Sequence, residues 1–117
     1  IVNHCANGYY NTAINRMYYA CYYAASALLI AYEIETKSHD GVRQMLGKYF
    51  VLTGKMPMEL GKFYSIMFNK RSSGDYEDFI NHTQSTVDQL YPKAEEFISF
   101  INSYLTENSL YYMNSGE

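Results

Sequence analysis

The side chains whose types and spacing could do chemistry gather in one stretch, Arg71 to His82, which reads RSSGDYEDFINH. Arg71 can grip a phosphate through its planar guanidinium. Asp75 and Tyr76 follow within five residues, then Glu77 and Asp78. The structural alternative is that Arg71 pairs with Asp75, or with an acid of a second copy, and organises a helix end. Arg16 could join Arg71 in a phosphate site, or serve as an ion-pair partner. Ser72 and Ser73 resemble a helix terminus, and no base stands close in sequence to activate either. His39 and His82 read as exposed loop residues. No spacing brings metal ligands together, so neither a metal nor a cofactor is expected. Cys5 and Cys21 lie 16 apart and read as reduced thiols of a cytoplasmic protein, with Cys21 buried.

The charge is unevenly spread. Lys37 to Arg71 holds seven basic residues against Asp40 and Glu59, a net of +5; Ser72 onward holds eight acids against Lys93, a net of −7. A basic middle suits a nucleotide or RNA phosphate. Solvated helix faces and charge pairing, within the chain or across a dimer, give the same pattern.

A long central helix must position these groups. From Met17 to Tyr32 the chain carries no charge over 16 residues. At about 100° per residue, Ile14, Met17, Tyr18, Cys21, Ala25, Leu28 and Leu29 form one apolar stripe. Tyr19, Tyr23, Ala27 and Ile30 form a second, with Arg16 at its N-terminal end. One stripe packs on the core; the second calls for another surface, and a second copy of the chain is the plain candidate. The uncharged run falls short of the roughly 20 residues that span a bilayer, so no membrane segment is expected. Fourteen tyrosines and no tryptophan predict many hydroxyl hydrogen bonds between helices.

At 117 residues the chain is one domain. Ile1 to Asn7 reads as the end of a helix that begins earlier, closed at Gly8. The central helix spans about Tyr10 to Tyr32. A third helix runs from Asp40, its N-cap, to about Leu52, with Gly47 offering a close helix approach. Gly54 ends it. Pro57 opens a fourth, to about Ser72, where Gly74 is a left-handed cap. Leu60, Phe63, Tyr64, Met67 and Arg71 share one face of it. Asp75 to Gln84 is a polar loop anchored by Phe79 and Ile80. A fifth helix runs from about Ser85 to Leu105, with a kink or break at Pro92. Residues 106–117 form a polar tail or an extra turn. No strand pattern appears. The fold class is all-α, an up-and-down antiparallel bundle of about five helices over residues 1–105.

Three runs carry a resemblance: NGYYNTAINRMYYACYYAASALL, GVRQMLGKYFV and LGKFYSIMFNKRSSGDYEDF. Gly8-Tyr9, then Tyr18-Tyr19-Ala20, then Arg71 followed by Asp75-Tyr76 occur in the order and spacing that resemble the HEPN domain family, over about residues 7–105. The resemblance implies a dimeric helical bundle of bacterial type. It also implies one of several roles: a metal-independent ribonuclease acting as a toxin, a partner of a small nucleotidyltransferase in a toxin–antitoxin pair, or a domain that binds nucleotide or RNA without cutting. In some members a Tyr near the Arg motif accepts adenylyl groups, which makes Tyr76 a candidate modification site. The nuclease members carry Arg, four to six arbitrary residues, then His. Here Tyr76, Glu77 and Asp78 fill the three allowed positions, and His82 lies eleven residues from Arg71. Tyr, with a pKa near 10, is a poor base at neutral pH. The expectation is therefore a groove around Arg71, Asp75, Tyr76 and Arg16 that binds a nucleotide or RNA, or docks a nucleotidyltransferase, without strong catalysis. Ribonuclease activity and a purely structural adaptor dimer are the alternatives.

Overall fold

A computed structural model describes residues 2–76 and 84–115, with side chains over 10–70 and 84–108. Four α-helices follow one another: α1 Val2–Ala31, α2 His39–Leu46, α3 Met58–Tyr76 and α4 Gln84–Ser115. A π-helical turn, Gly47–Val51, extends α2. The described residues contain no strand.

Two helices expected apart are one. α1 runs through Gly8 without a break. An interior Gly costs only about 1 kcal/mol against Ala, less than the packing of the apolar segment behind it contributes. At its other end α1 closes with Ile34 N–H on the Leu29 carbonyl (2.9 Å) and Glu33 N–H on the Ile30 carbonyl (2.9 Å). That pair of hydrogen bonds is the glycine-type helix stop, yet the left-handed residue is Glu33, at φ 60.

The chain then turns back along α1. Ile34, Glu35 and Thr36 line a cavity with Tyr22, Ser26 and Leu29, so α2 begins level with Tyr18 and Tyr22. Its N-cap is Ser38 rather than Asp40: Ser38 is extended, and its Oγ accepts from Gly41 N–H at 2.9 Å. Gly54, at φ +80, ends the turn after the π segment. Gly47 is not the point of close approach, since a side chain there would meet nothing within 4 Å. Gly61 is: a Cβ on it would stand 2.7 Å from Val51 Cγ2, which seats the π turn on α3. Pro57 caps α3, its carbonyl accepting from Gly61 N–H at 3.3 Å.

Both remaining helices outrun expectation. α3 continues past Ser72, Ser73 and Gly74 to Tyr76, so Gly74 is not a cap. α4 passes unbroken through Pro92 and on to Ser115. Pro92 is on the solvent side, where the carbonyl it cannot serve is open to water.

The core lies where α1, α3 and α4 meet. Tyr18, Cys21, Ala25, Leu28, Tyr64, Met67, Phe97 and Ile101 are inaccessible to solvent. Tyr64 stacks on Phe97 at 5.4 Å. Val42, Leu46 and Phe50 close the core from α2 and its π turn. No described helix is long and apolar enough to cross a membrane.

Candidate functional site

The polar groups of the described structure converge where the start of α2 crosses α1 and faces α3. His39 is the first residue of α2. Its position follows from the Ser38 cap, which fixes how the chain enters the helix. The imidazole Nδ1 lies 2.9 Å from the Tyr18 hydroxyl. The ring stacks on Tyr22 at 4.2 Å and meets Tyr19 edge-on at 5.8 Å. His39 is therefore half-buried and structured, not an exposed loop residue. Tyr18 carries the cluster into the core, with Tyr64 at 6.0 Å and Phe68 at 6.4 Å. The Tyr64 hydroxyl sits beside Tyr18 but outside hydrogen-bond geometry. Burial, and then the neighbouring Tyr18, push its pKa well above the usual tyrosine value.

Arg43 stands one turn along α2 from His39. Asp40 Oδ1 accepts from its Nε at 2.9 Å, and Gln44 Nε2 donates to the other carboxylate oxygen at 2.6 Å. The Arg43 bond, then the Gln44 bond, hold the Asp40 carboxyl below its ordinary pKa, so it is ionised at neutral pH. Thus oriented, the Arg43 guanidinium lies 5.3 Å over the Phe68 ring. Its Nη2 also donates to Asp40 Oδ1, so two of the three guanidinium nitrogens serve that carboxylate.

Phe68 leads to the residues singled out in the sequence. Arg71 follows it by three positions on the same unbroken helix, hence by about one turn. Asp75 falls one turn further on, and Tyr76 closes α3. The side chains of Arg71, Asp75 and Tyr76 lie outside the described residues, as do Ser72, Ser73 and the whole of Phe79, Ile80 and His82. Arg16 is exposed. It precedes Tyr18 by two residues, about 200° around α1, and so points away from the side on which Tyr18 meets α3. It shares its face with Tyr23, Ala27 and Ile30, of which Tyr23 is 66 % and Ile30 72 % exposed. Tyr19, the fourth residue of that stripe, is half-buried against Tyr18.

Sequence reasoning missed His39 and Arg43 as members of one cluster. A signal was present: Ser38 as N-cap places His39 in the first turn and Arg43 one turn later. What joins them to Tyr18 and Phe68 is tertiary. Among the described residues no three His, Cys, Asp or Glu side chains converge as metal ligands. Cys21 is buried, and burial pushes its thiol up to about 12, so it stays protonated and unreactive at neutral pH.

The comparisons with known proteins agree with this architecture. A UPF0332 protein of Thermotoga maritima is 39 % identical over 97 residues, covering 83 % of this chain and 74 % of its own length. Two proteins of Methanocaldococcus jannaschii, each named "Putative toxin", are 30 % and 33 % identical, over 87 % and 86 % of the chain and 69 % and 75 % of their own lengths. No solved structure matches the chain significantly. The model of the HEPN domain matches residues 2–104, nearly the whole described molecule, and the chain belongs to the HEPN domain family.

Proposed function

We propose that this HEPN domain is a cytoplasmic, homodimeric module of toxin–antitoxin type that binds single-stranded RNA or a nucleotide through the surface between the start of α2 and the end of α3. One observation carries the reading: the Arg43 guanidinium, oriented by Asp40, is held over Phe68, one helical turn before Arg71. Two arginines are thereby brought to one end of α3, within the segment whose net charge is +5. Arg is the residue suited to planar, bidentate phosphate contact. The His39–Tyr22–Tyr19 cluster lies one turn of α2 away, and bases stack on the faces of such rings with little regard to sequence. The names of the archaeal relatives support the toxin setting. A nucleotidyltransferase is the partner that the family resemblance suggests for the same surface, with Tyr76 as its acceptor.

The test is a titration of a short unstructured RNA, and separately of ATP, into the full chain by calorimetry. Binding is expected, and weakens about tenfold in Arg43→Ala and in Arg71→Ala, since a charge-assisted phosphate contact is worth about 1.5–3 kcal/mol. Binding that ignores both substitutions, or none at all, overturns the reading and leaves an adaptor dimer.

His39 favours a second reading, a metal-independent ribonuclease. Its imidazole comes from α2 rather than from the Arg motif, and sits against the same tyrosines. Cleavage of a labelled RNA in EDTA, lost in both Arg71→Ala and His39→Ala, would establish that reading. Intact RNA with the natural chain would dismiss it.

A further inference from the structure

The outward face of α1 carries one polarity from end to end. Arg16, Tyr23 and Ile30 are spaced by seven residues, so they lie within about 20° of one line along the helix. Ala20 and Ala27 flank Tyr23 and are exposed with it. Arg16 is the only basic residue among positions 1–36, and Glu33 and Glu35, just past the helix end, are the only acids. None of the three makes an ion pair among the described residues. Glu33 and Glu35 also border a cavity of about 430 Å³ with Tyr22, Ser26, Leu29 and Ile30. Ser26 lines it too, although its hydroxyl oxygen is shielded from solvent and has no hydrogen-bond partner among the described residues. A cavity edged by two carboxylates suits a cationic side chain that donates several hydrogen bonds.

We infer that a second copy of the chain supplies that cation: two α1 helices pack antiparallel about Tyr23, and Arg16 of each enters the Glu33–Glu35 cavity of the other. The spacing allows it. From Tyr23 to Arg16, and from Tyr23 to Ile30, the rise is about 10 Å at roughly 1.5 Å per residue. A two-fold axis at Tyr23 therefore sets Arg16 level with the partner's Ile30, and the arginine stem covers the turn that remains to Glu33. The parallel arrangement would put Arg16 on Arg16 and the acids on the acids. Small residues at 20 and 27 let the helices approach, and Tyr23 and Ile30 lose their exposed apolar area. A rival apolar patch, Leu52, Met58 and Ile66, lies just after the π turn and on α3. Its charges are interspersed rather than set at opposite ends: Lys62 lies in its groove, and Glu59, Lys93 and Glu96 share the adjoining cavity with Ile66.

The inference rests on the homodimer proposed above, and the test separates the two. Sedimentation equilibrium of the full chain is expected to show a dimer. Arg16→Glu should weaken it by at least about tenfold, and so should Glu33→Arg with Glu35→Arg, because like charges then face each other. Combining Arg16→Glu with Glu33→Arg should restore most of the loss. In a Cys5→Ser background, Tyr23→Cys should cross-link to its own copy on mild oxidation, and Thr12→Cys should not. A dimer indifferent to the charge reversals, or one split by Ile66→Glu instead, overturns the packing and leaves the homodimer standing. A monomeric natural chain removes both. Circular dichroism of each variant checks that these exposed substitutions leave the fold intact.

Discussion

The two faces of α1 are built from the same kinds of residue and have opposite fates. On one side Tyr18, Cys21, Ala25 and Leu28 are fully buried; on the other Tyr23 and Ile30 are mostly exposed. Hydrophobicity along the helix does not distinguish them. What differs is what lies opposite. Tyr18 meets Tyr64 and Phe68 on α3, and Phe50 and Met56 help close the far end of the same core. Among the described residues, Tyr23 has ring contacts only with its own helix neighbours Tyr19 and Tyr22, at 6.3 and 5.5 Å. An apolar stripe therefore states that a surface wants covering, and the number of helices in the chain decides how many stripes are covered.

The sharpest way to break the comparison is to truncate a similar residue on each face. Leu28→Ala should cost about 2–5 kcal/mol in urea unfolding, and Ile30→Ala about 0.5 kcal/mol or less in the monomer. Equal losses would mean that the faces are not as different as their burial.

Alkali comes next. The Cys21 thiol is neutral in the fold, with its pKa raised from 9.0 to about 12 by burial. A raised value means stability that is full below pH 9 and is lost as pH rises toward 12. Each pH unit in that window costs up to about 1.4 kcal/mol for this one group. Melting curves of the natural chain and Cys21→Ala between pH 8 and about 10.5 should converge as the pH rises. Asp40, whose carboxyl is held low by Arg43, acts at the other end: its contribution is present above the ordinary carboxylate pKa and fades as pH falls through its folded value.

His39→Ala tests the junction between the faces. It removes the Tyr22 stack and the Tyr18 hydrogen bond, and should cost about 1–2 kcal/mol of stability, read by chemical denaturation. An unchanged midpoint would return His39 to the surface residue that its sequence context suggests.

The smallest effect has the opposite sign. Glu33 holds a left-handed conformation that glycine adopts without strain. Glu33→Gly should stabilise the folded monomer by about 0.5–1 kcal/mol while weakening the proposed dimer, because the carboxylate is lost. A thermal shift with concentration dependence separates the two effects. Destabilisation of the monomer would show that the Glu33 side chain serves the fold itself.

Much of this molecule was legible before any coordinates. The buried stripes of α1, α3 and α4 follow from period 3.6, and Ile14, Tyr18, Leu28, Phe63, Tyr64, Met67, Phe97 and Ile101 are all core residues. Gly54 as a helix stop follows from the freedom of glycine at positive φ. The local stop signals Gly8, Gly74 and Pro92 misled, because each weighs about 1–3 kcal/mol alone and long packed helices override such terms. Asp40 was the cap expected from sequence, and the backbone entering α2 gives that place to Ser38, two residues earlier.

Sequence by itself determined the all-α class, the family and the presence of Arg71 without a His at the motif spacing, since these depend on residue type and order along one chain. It also determined that α1 has two apolar stripes. Tertiary structure decided which stripe faces α3, that the return stretch from Ile34 to Thr36 brings His39 onto Tyr18 and Tyr22, and that Arg43 lies over Phe68. Those pairs are separated by up to 25 residues, and no local period encodes a contact made by a chain that turns back on itself.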